Sequence, residues 1–167
     1  MKSTFLNLVL IISITTFLVS CNKDDSESNS STKQQISCNI DGVSYSVTTG
    51  GTDVEEADAH IRNGTRFQLD ATTSTKDFSI NYDAISGTGT YNIVGIGGAL
   101  NFAQWEDGDA VYSSLVSEKS HLTFTITSIA GSASDNMRLV EGTFSGVLYN
   151  LLQTDSVVIT NGQIDIL

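Results

Sequence analysis

Residues 121–129, with the sequence HLTFTITSI, alternate between apolar and hydroxyl-bearing side chains. Leu122, Phe124 and Ile126 would lie on one face of a β-strand, because successive side chains in a strand point to opposite faces. The threonines between them would lie on the other face, and threonine suits a pleated, half-buried surface. The stretch therefore predicts a β-strand with one buried face.

The same alternation recurs along most of the chain after residue 34. Residues 36–40 and 43–47 alternate on either side of Asp41-Gly42, which predicts a β-hairpin. No segment after residue 20 has a convincing stripe of apolar residues at helical spacing. The chain contains no proline, so its turns must come from Gly, Asn and Asp. Further alternating runs lie at residues 66–71, 77–82, 90–94, 99–103, 138–149 and 156–166.

These runs predict an all-β fold for residues 35–167. About eight to ten short strands, each with one apolar face, favour a single antiparallel β-sandwich. A partly closed β-barrel with a similar number of strands is the alternative, and the pattern leaves the two open. A domain of this length buries roughly two-thirds of the surface of its unfolded chain, so its core needs neither a metal nor a disulfide.

The first 20 residues have the features of a cleaved signal helix. Lys2 supplies a positive start, and residues 5–19 form an apolar segment shorter than the roughly 20 residues that span a bilayer. The junction Leu18-Val19-Ser20-Cys21 resembles the bacterial lipobox. That resemblance implies cleavage before Cys21, diacylation of its thiol and acylation of the freed amine. Two or three acyl chains anchor a protein stably, since each buried methylene contributes about 0.8 kcal/mol.

Residues 21–34 are polar and of low complexity, which predicts a flexible tether. Within it, Lys23-Asp24-Asp25 resembles the short acidic signal that directs Bacteroidetes lipoproteins to the outer face of the outer membrane. No aspartate follows Cys21 directly, unlike the inner-membrane retention signal of enteric bacteria. We therefore expect a lipid-anchored outer-membrane protein that faces the cell surface rather than the periplasm.

The net charge of −11 argues against nucleic acid as a partner, because phosphate binding requires clustered lysines and arginines. Arg62, Arg66 and Arg138 are scattered along the chain. An anionic bilayer would repel such a protein, so membrane attachment should come from the lipid on Cys21. Lipidation of Cys21 also leaves Cys38 without a disulfide partner, and we expect Cys38 to be a small buried strand residue.

Catalytic motifs are missing from the sequence. No Gly-x-Ser-x-Gly elbow, His-Glu-x-x-His helix or phosphate loop occurs, and His60 and His121 are far apart. We therefore expect no enzyme, no catalytic residue and no cofactor beyond the covalent lipid. The alternative is a calcium-dependent or hydrolytic enzyme that uses two acidic loops, residues 53–58 and 106–109. The candidate calcium ligands in these loops are Asp53, Glu55, Asp107 and Asp109.

Trp105 is the only tryptophan of the chain and lies beside the second acidic loop. An exposed aromatic among polar residues can stack on a sugar or anchor a protein contact. Alternatively, Trp105 ends a strand and packs into the core. We take Trp105 and Tyr112 as the candidate binding surface, for an unidentified glycan or protein ligand.

Three motifs are spread over the predicted domain: Cys-Asn-Ile-Asp-Gly at residues 38–42, Val-Glu-Gly-Thr-Phe-Ser-Gly at 140–146 and Ile-Thr-Asn-Gly-Gln-Ile at 159–164. With the lipobox, they resemble small surface lipoproteins of Bacteroidetes. Those chains often carry a tryptophan after the Asp-Gly turn, where this chain has Tyr45. The resemblance implies an envelope lipoprotein and carries over no activity. From the export signals and the missing catalytic motifs, we expect a non-enzymatic surface module that binds a glycan or protein or has a structural role.

Overall fold

A computed structural model of the chain describes residues 32–50 and 55–167. The predicted signal, Cys21, most of the tether and Asp53 lie outside the described residues. The described part contains eleven β-strands and no helix, so the predicted all-β fold is confirmed. It also contains no helix of the length and apolarity needed to cross a membrane. The strands are β1 Gln34–Ile40, β2 Val43–Thr48, β3 Glu56–Arg62, β4 Arg66–Thr72, β5 Lys76–Tyr82, β6 Gly89–Val94, β7 Phe102–Asp107, β8 Ala110–Ser113, β9 His121–Ala130, β10 Met137–Tyr149 and β11 Ser156–Ile166.

All strand pairs are antiparallel, and β10 is the strand at which the sheet branches. The hydrogen-bonded order is β2-β1-β11-β10-β3-β4-β5-β7-β8, with β9 beside β10 and β6 beside β9. One edge of β10 pairs with β3 near Met137 and with β11 from Gly142 onward. Its other edge pairs with β9. The sheet thus divides at β10 into one layer of β6-β9-β10-β11-β1-β2 and another of β3-β4-β5-β7-β8.

The two layers pack face to face through aromatic pairs. Phe67 on β4 stacks on Phe124 on β9 with ring centroids 4.8 Å apart, and Phe78 on β5 stacks on Phe144 on β10 at 5.0 Å. These strands are not neighbours in the sheet, so the contacts join the layers. Burial of each such side chain contributes about 1.5–3 kcal/mol.

The sheet is open, which supports the sandwich over the partly closed barrel. Its path ends at β2 on one side and at β8 on the other, and these two strands do not pair. One isolated bridge, between Tyr112 and Asn150, ties β8 to the residue after β10. In β9, Leu122, Phe124 and Ile126 are buried as the alternation predicts, while Thr123 and Thr125 are partly exposed.

The glycines of the Val-Glu-Gly-Thr-Phe-Ser-Gly motif permit a close approach of β9 to β10. A Cβ atom on Gly142 would collide with the carbonyl oxygen of Thr125, and one on Gly146 would collide with that of His121. Any side chain at these positions would force the strands apart, so both positions require glycine.

Two boundaries differ from the sequence-based expectation. Gln34, assigned to the end of the tether, is buried and begins β1. Its side-chain amide donates to the carbonyls of Ala59 and Val140 and accepts from the Ala59 N–H, which satisfies the buried amide. The acidic stretch 53–58 was expected to be a loop, but β3 begins at Glu56. The strand forms there because small buried alanines alternate with the polar residues of this stretch.

Candidate functional site

A cleft of about 330 Å³ opens where the β1–β2 turn meets the β7–β8 hairpin and the start of β5. We call it the Trp105 cleft. Its aromatic lining is Tyr45, Trp105 and Tyr112, and its charged lining is Lys76, Asp107 and Asp41. These residues are distant from one another in the sequence and meet only in the folded chain, since they come from four strands and a turn.

The floor of the cleft consists of two buried aromatic rings. Trp105 is only 2% exposed, so it packs into the core as the alternative interpretation held, and only part of its ring borders the cleft. Tyr45 meets it edge to face, with ring centroids 5.0 Å apart. The Tyr45 hydroxyl donates to the carbonyl of Ala71, and burial raises its pKa well above the ordinary tyrosine value. Both rings are therefore held in place before any ligand arrives.

Tyr112 forms one wall of the cleft and is partly exposed. Its hydroxyl donates to Asp155 Oδ2 at 2.9 Å, and this hydrogen bond raises the pKa of the phenol. The bond orients the ring at the mouth of the cleft. Tyr112 is therefore the aromatic residue of the cleft that a ligand can reach most directly.

A weakly held ion pair lies beside the aromatic floor. Lys76 Nζ is 3.1 Å from Asp107 Oδ2 and 5.7 Å from the centroid of the Trp105 ring. The two charged side chains are 38% and 48% exposed, so their attraction is worth at most about 1 kcal/mol. Both groups keep hydrogen-bonding capacity beyond this contact. The pair can therefore open toward a ligand at little cost.

Asp41 closes the cleft at the β1–β2 turn. It adopts a positive φ of 50°, and its Oδ1 accepts a hydrogen bond of 2.7 Å from the N–H of Val158. The turn is thereby tied to β11, which fixes this side of the opening.

The candidate calcium ligands are not brought together. Asp53 lies outside the described residues. Glu56 on β3 is aligned with Glu106 on β7, across the intervening strands β4 and β5, at Thr72 and Asp77. The two acidic stretches are therefore three strand spacings, or about 14 Å, apart. Glu55 and Asp109 flank these strands at opposite ends of that row. Within residues 32–50 and 55–167, no three His, Cys, Asp or Glu side chains are arranged to hold a metal ion.

The two histidines also lie apart. His60 pairs with Leu139 and His121 with Val147, so they are separated by eight positions, or roughly 25 Å, along β10. His60 is buried, with Nδ1 2.9 Å from Asp58 Oδ1, and its Nε2 accepts from Arg62 Nε at 2.7 Å. His121 is exposed at the start of β9.

Cys38 is buried on β1, as expected. Burial raises the pKa of its thiol to about 12, so it carries no charge at neutral pH. A buried neutral thiol is a poor nucleophile.

Sequence reasoning named Trp105, Tyr112 and Asp107 but missed the other members of the cleft. The sequence around Lys76 gave no indication of a binding role, because the residues that Lys76 contacts in the cleft lie on other strands. Tyr45 was noted in the sequence only as the aromatic residue that follows the Asp41-Gly42 turn.

The fold and the cleft define an all-β sandwich domain with one small aromatic and charged cleft at the meeting of two hairpins. Comparison of the chain with protein-family models, with characterised proteins and with solved structures finds no match.

Proposed function

We propose that this protein is a lipid-anchored outer-membrane lipoprotein that binds a neutral sugar residue, such as the end of a glycan, in the Trp105 cleft. The single observation that carries the ligand class is the Lys76–Asp107 pair beside the Tyr112 and Trp105 rings. The location rests on the lipobox at Cys21 and on the acidic residues that follow it.

The chemistry of the cleft suits a polyhydroxylated ligand. The partly exposed ring of Tyr112 offers a surface for the C–H face of a sugar. Lys76 can donate hydrogen bonds to the sugar hydroxyls, and Asp107 can accept hydrogen bonds from them. A volume of about 330 Å³ falls at the small end of ligand sites, which fits one sugar residue rather than a long segment. The lining carries one positive and two negative side chains, Lys76 against Asp107 and Asp41, which disfavours an anionic ligand.

We propose binding rather than catalysis because the polar groups of the cleft are paired. The Tyr45 hydroxyl is bound to Ala71, the Tyr112 hydroxyl to Asp155, and Lys76 to Asp107. A catalytic pair would instead present a base beside a nucleophile at the reacting position.

The test is binding of neutral mono- and disaccharides, screened by saturation-transfer NMR and quantified by calorimetry. We expect Tyr112→Ala and Lys76→Ala each to weaken binding about tenfold, which corresponds to roughly 1.4 kcal/mol. Tyr149 and Lys119 form a similar contact outside the cleft, with Nζ 5.8 Å from the ring centroid. Tyr149→Ala and Lys119→Ala are therefore matched controls that should bind normally. Equal losses in both sets, or no sugar bound by the wild type, would contradict the proposal.

The calcium-dependent or hydrolytic alternative predicts a different result. Specific calcium binding must raise the thermal midpoint, and EDTA must lower it. Because the described acidic groups are separated by about 14 Å across the sheet, we expect neither effect. A calcium-dependent shift that Asp107→Asn abolishes would support the alternative.

A further inference from the structure

The outer face of the β6-β9-β10-β11-β1-β2 layer carries a continuous row of uncharged polar side chains. Each residue of the row is the cross-strand partner of the next, so the row crosses all six strands. Its members, all exposed or half-buried, are Thr90, Thr125, Thr143, Gln163, Ser37 and Ser46. The layer thus presents hydroxyl and amide groups to solvent along its whole width.

Two further rows extend this face toward the β1–β2 turn. The second row is again polar and uncharged, and it passes a bulge between β10 and β11. Its members are Asn92, Thr123, Ser145, Thr160, Asn39 and Ser44. The third row, which is mostly apolar, consists of Val94, His121, Val147 and Val158. We call these three rows the uncharged face, and His121 is their single ionisable residue.

The outer face of the other layer is densely charged. Asp58 on β3 lies opposite Asp70 on β4, and Asp77 on β5 lies opposite Glu106 on β7. Both outer faces belong to antiparallel layers with one side on the core and one toward water, so solvent exposure alone does not explain the difference. Depletion of charged residues is instead typical of the centre of a protein–protein interface.

The polar side chains of the uncharged face are partly paired along the rows. The hydroxyls of Thr90 and Thr125 share a hydrogen bond of 2.9 Å, and Thr123 donates to Asn92 Oδ1 at 2.8 Å. Hydroxyl and amide groups both donate and accept, and each has more capacity than one such bond uses. A surface made of these groups complements a copy of itself, as a contact with two-fold symmetry requires.

We infer that two copies of this chain associate through their uncharged faces, related by a two-fold axis. The net charge of −11 makes copies repel one another, and a contact between charged outer faces would bring carboxylates close together. A contact between uncharged faces avoids that local repulsion. Carboxylates flank the face at Glu141, Asp165 and Asp41. They would lie at the rim of the contact, where water and salt screen them.

A second copy suits this face better than a glycan does, because the three rows contain no aromatic ring on which a sugar could stack. The rows cover about 24 Å across the six strands and about 20 Å along them, or roughly 500 Å². Each partner of a standard interface buries about 800 Å². We therefore expect a weak, reversible dimer.

The dimer can be measured by energy transfer between copies of the full chain in neutral detergent, with micelles in excess over protein. Donor and acceptor dyes are attached to separate batches of the variant Ser134→Cys, because Ser134 is exposed before β10 and Cys38 is buried. We expect association to strengthen as salt rises from about 10 mM to about 1 M, since the Debye length falls from about 30 Å to about 3 Å. Association that weakens over this range would indicate ion pairing and overturn the inference.

Thr143→Lys and Thr143→Glu place a charge on β10, one of the two middle strands of the face. In each variant the two copies then carry like charges near the axis, so the dissociation constant should rise at least about tenfold, or about 1.4 kcal/mol. Mixing the two variants should restore energy transfer, because opposite charges then meet. Ser79→Lys and Ser79→Glu make the same changes on the charged outer face and should leave association unchanged.

Far-UV circular dichroism and the thermal midpoint establish that each variant is folded. Equal effects of the Thr143 and Ser79 substitutions would overturn the inference, as would a wild type that stays monomeric at about 1 mM protein and high salt. A monomer that binds a neutral oligosaccharide, and loses it in Thr143→Lys, would overturn it in favour of a glycan surface. Tyr112 and Lys76 lie outside the uncharged face, so failure of the sugar proposal would leave this inference untouched.

Discussion

The ring of Tyr45 meets the ring of Trp105 at an interplanar angle of 83°, and this contact joins the two layers of the sandwich beneath the cleft. Tyr45 lies on β2 and Trp105 on β7, strands at opposite sides of the open sheet. The hydroxyl of Tyr45 continues the connection to Ala71 on β4. One side chain thus links the edge of one layer with the middle of the other.

Tyr45→Phe isolates the contribution of that hydroxyl. The ring contact remains, but the carbonyl of Ala71 loses its donor, so we expect the free energy of unfolding to fall by about 1–2 kcal/mol. Urea denaturation measures the change. Tyr112→Phe is the control, because its hydroxyl binds the exposed Asp155 and should contribute less. An unchanged stability of Tyr45→Phe would contradict a stabilising role of this hydroxyl.

Cys38 should make the domain less stable at alkaline pH. A cysteine thiol in the unfolded chain has an ordinary pKa of 9.0, and burial raises the pKa to about 12 in the fold. Unfolding therefore releases a proton between these values, and the free energy of unfolding falls by up to about 1.4 kcal/mol per pH unit. Cys38→Ala should flatten this slope, whatever its effect at neutral pH. Denaturation from pH 8 upward tests this, and parallel slopes in the two proteins would contradict it.

Asp77→Asn should stabilise the protein at neutral pH. Burial is the main cause that raises the pKa of Asp77, followed by the charges of Asp70 and Glu106. Because the folded state holds this proton more tightly than the unfolded state, the ionised carboxylate opposes folding above its unfolded pKa. The gain should vanish at a pH low enough to protonate Asp77 in both states. Thermal midpoints across this pH range measure it. Asp165→Asn on the exposed face of β11 should change nothing.

Cys21→Ala tests the membrane anchor. If the lipobox acts as proposed, the variant accumulates unprocessed and without acyl chains, which intact-mass spectrometry detects. Wild-type protein on whole cells should be removed by added protease, because we place it on the outer surface. A mature N-terminus other than residue 21, or complete protection from protease, would contradict the anchor or the surface location respectively.

Local alternation was enough to predict the fold class, because the apolar residues of a strand such as β9 mark its buried face in the sequence. It was not enough for β3, whose buried Ala57 and Ala59 are too small to give an apolar signal beside Glu56 and Asp58. The burial of these alanines depends on the facing layer, which no local pattern contains.

The Trp105 cleft depended still more on long-range pairing. Lys76 meets Trp105 only because β5 pairs with β7. Strand order is set by the packing of the whole domain, so the sequence pattern of each strand left it undetermined.

The position of β1 has a mechanical consequence. The chain enters the domain at Gln34, and β1 lies inside its layer with β11 on one edge and β2 on the other. Tension transmitted from the preceding residues would load two hydrogen-bonded ladders together, since neither edge of β1 is free. An edge strand could lose its hydrogen bonds one after another. β1, by contrast, can leave the sheet only if its hydrogen bonds to both β11 and β2 break. The domain is therefore built to resist being pulled open from the side of the chain that carries its proposed anchor.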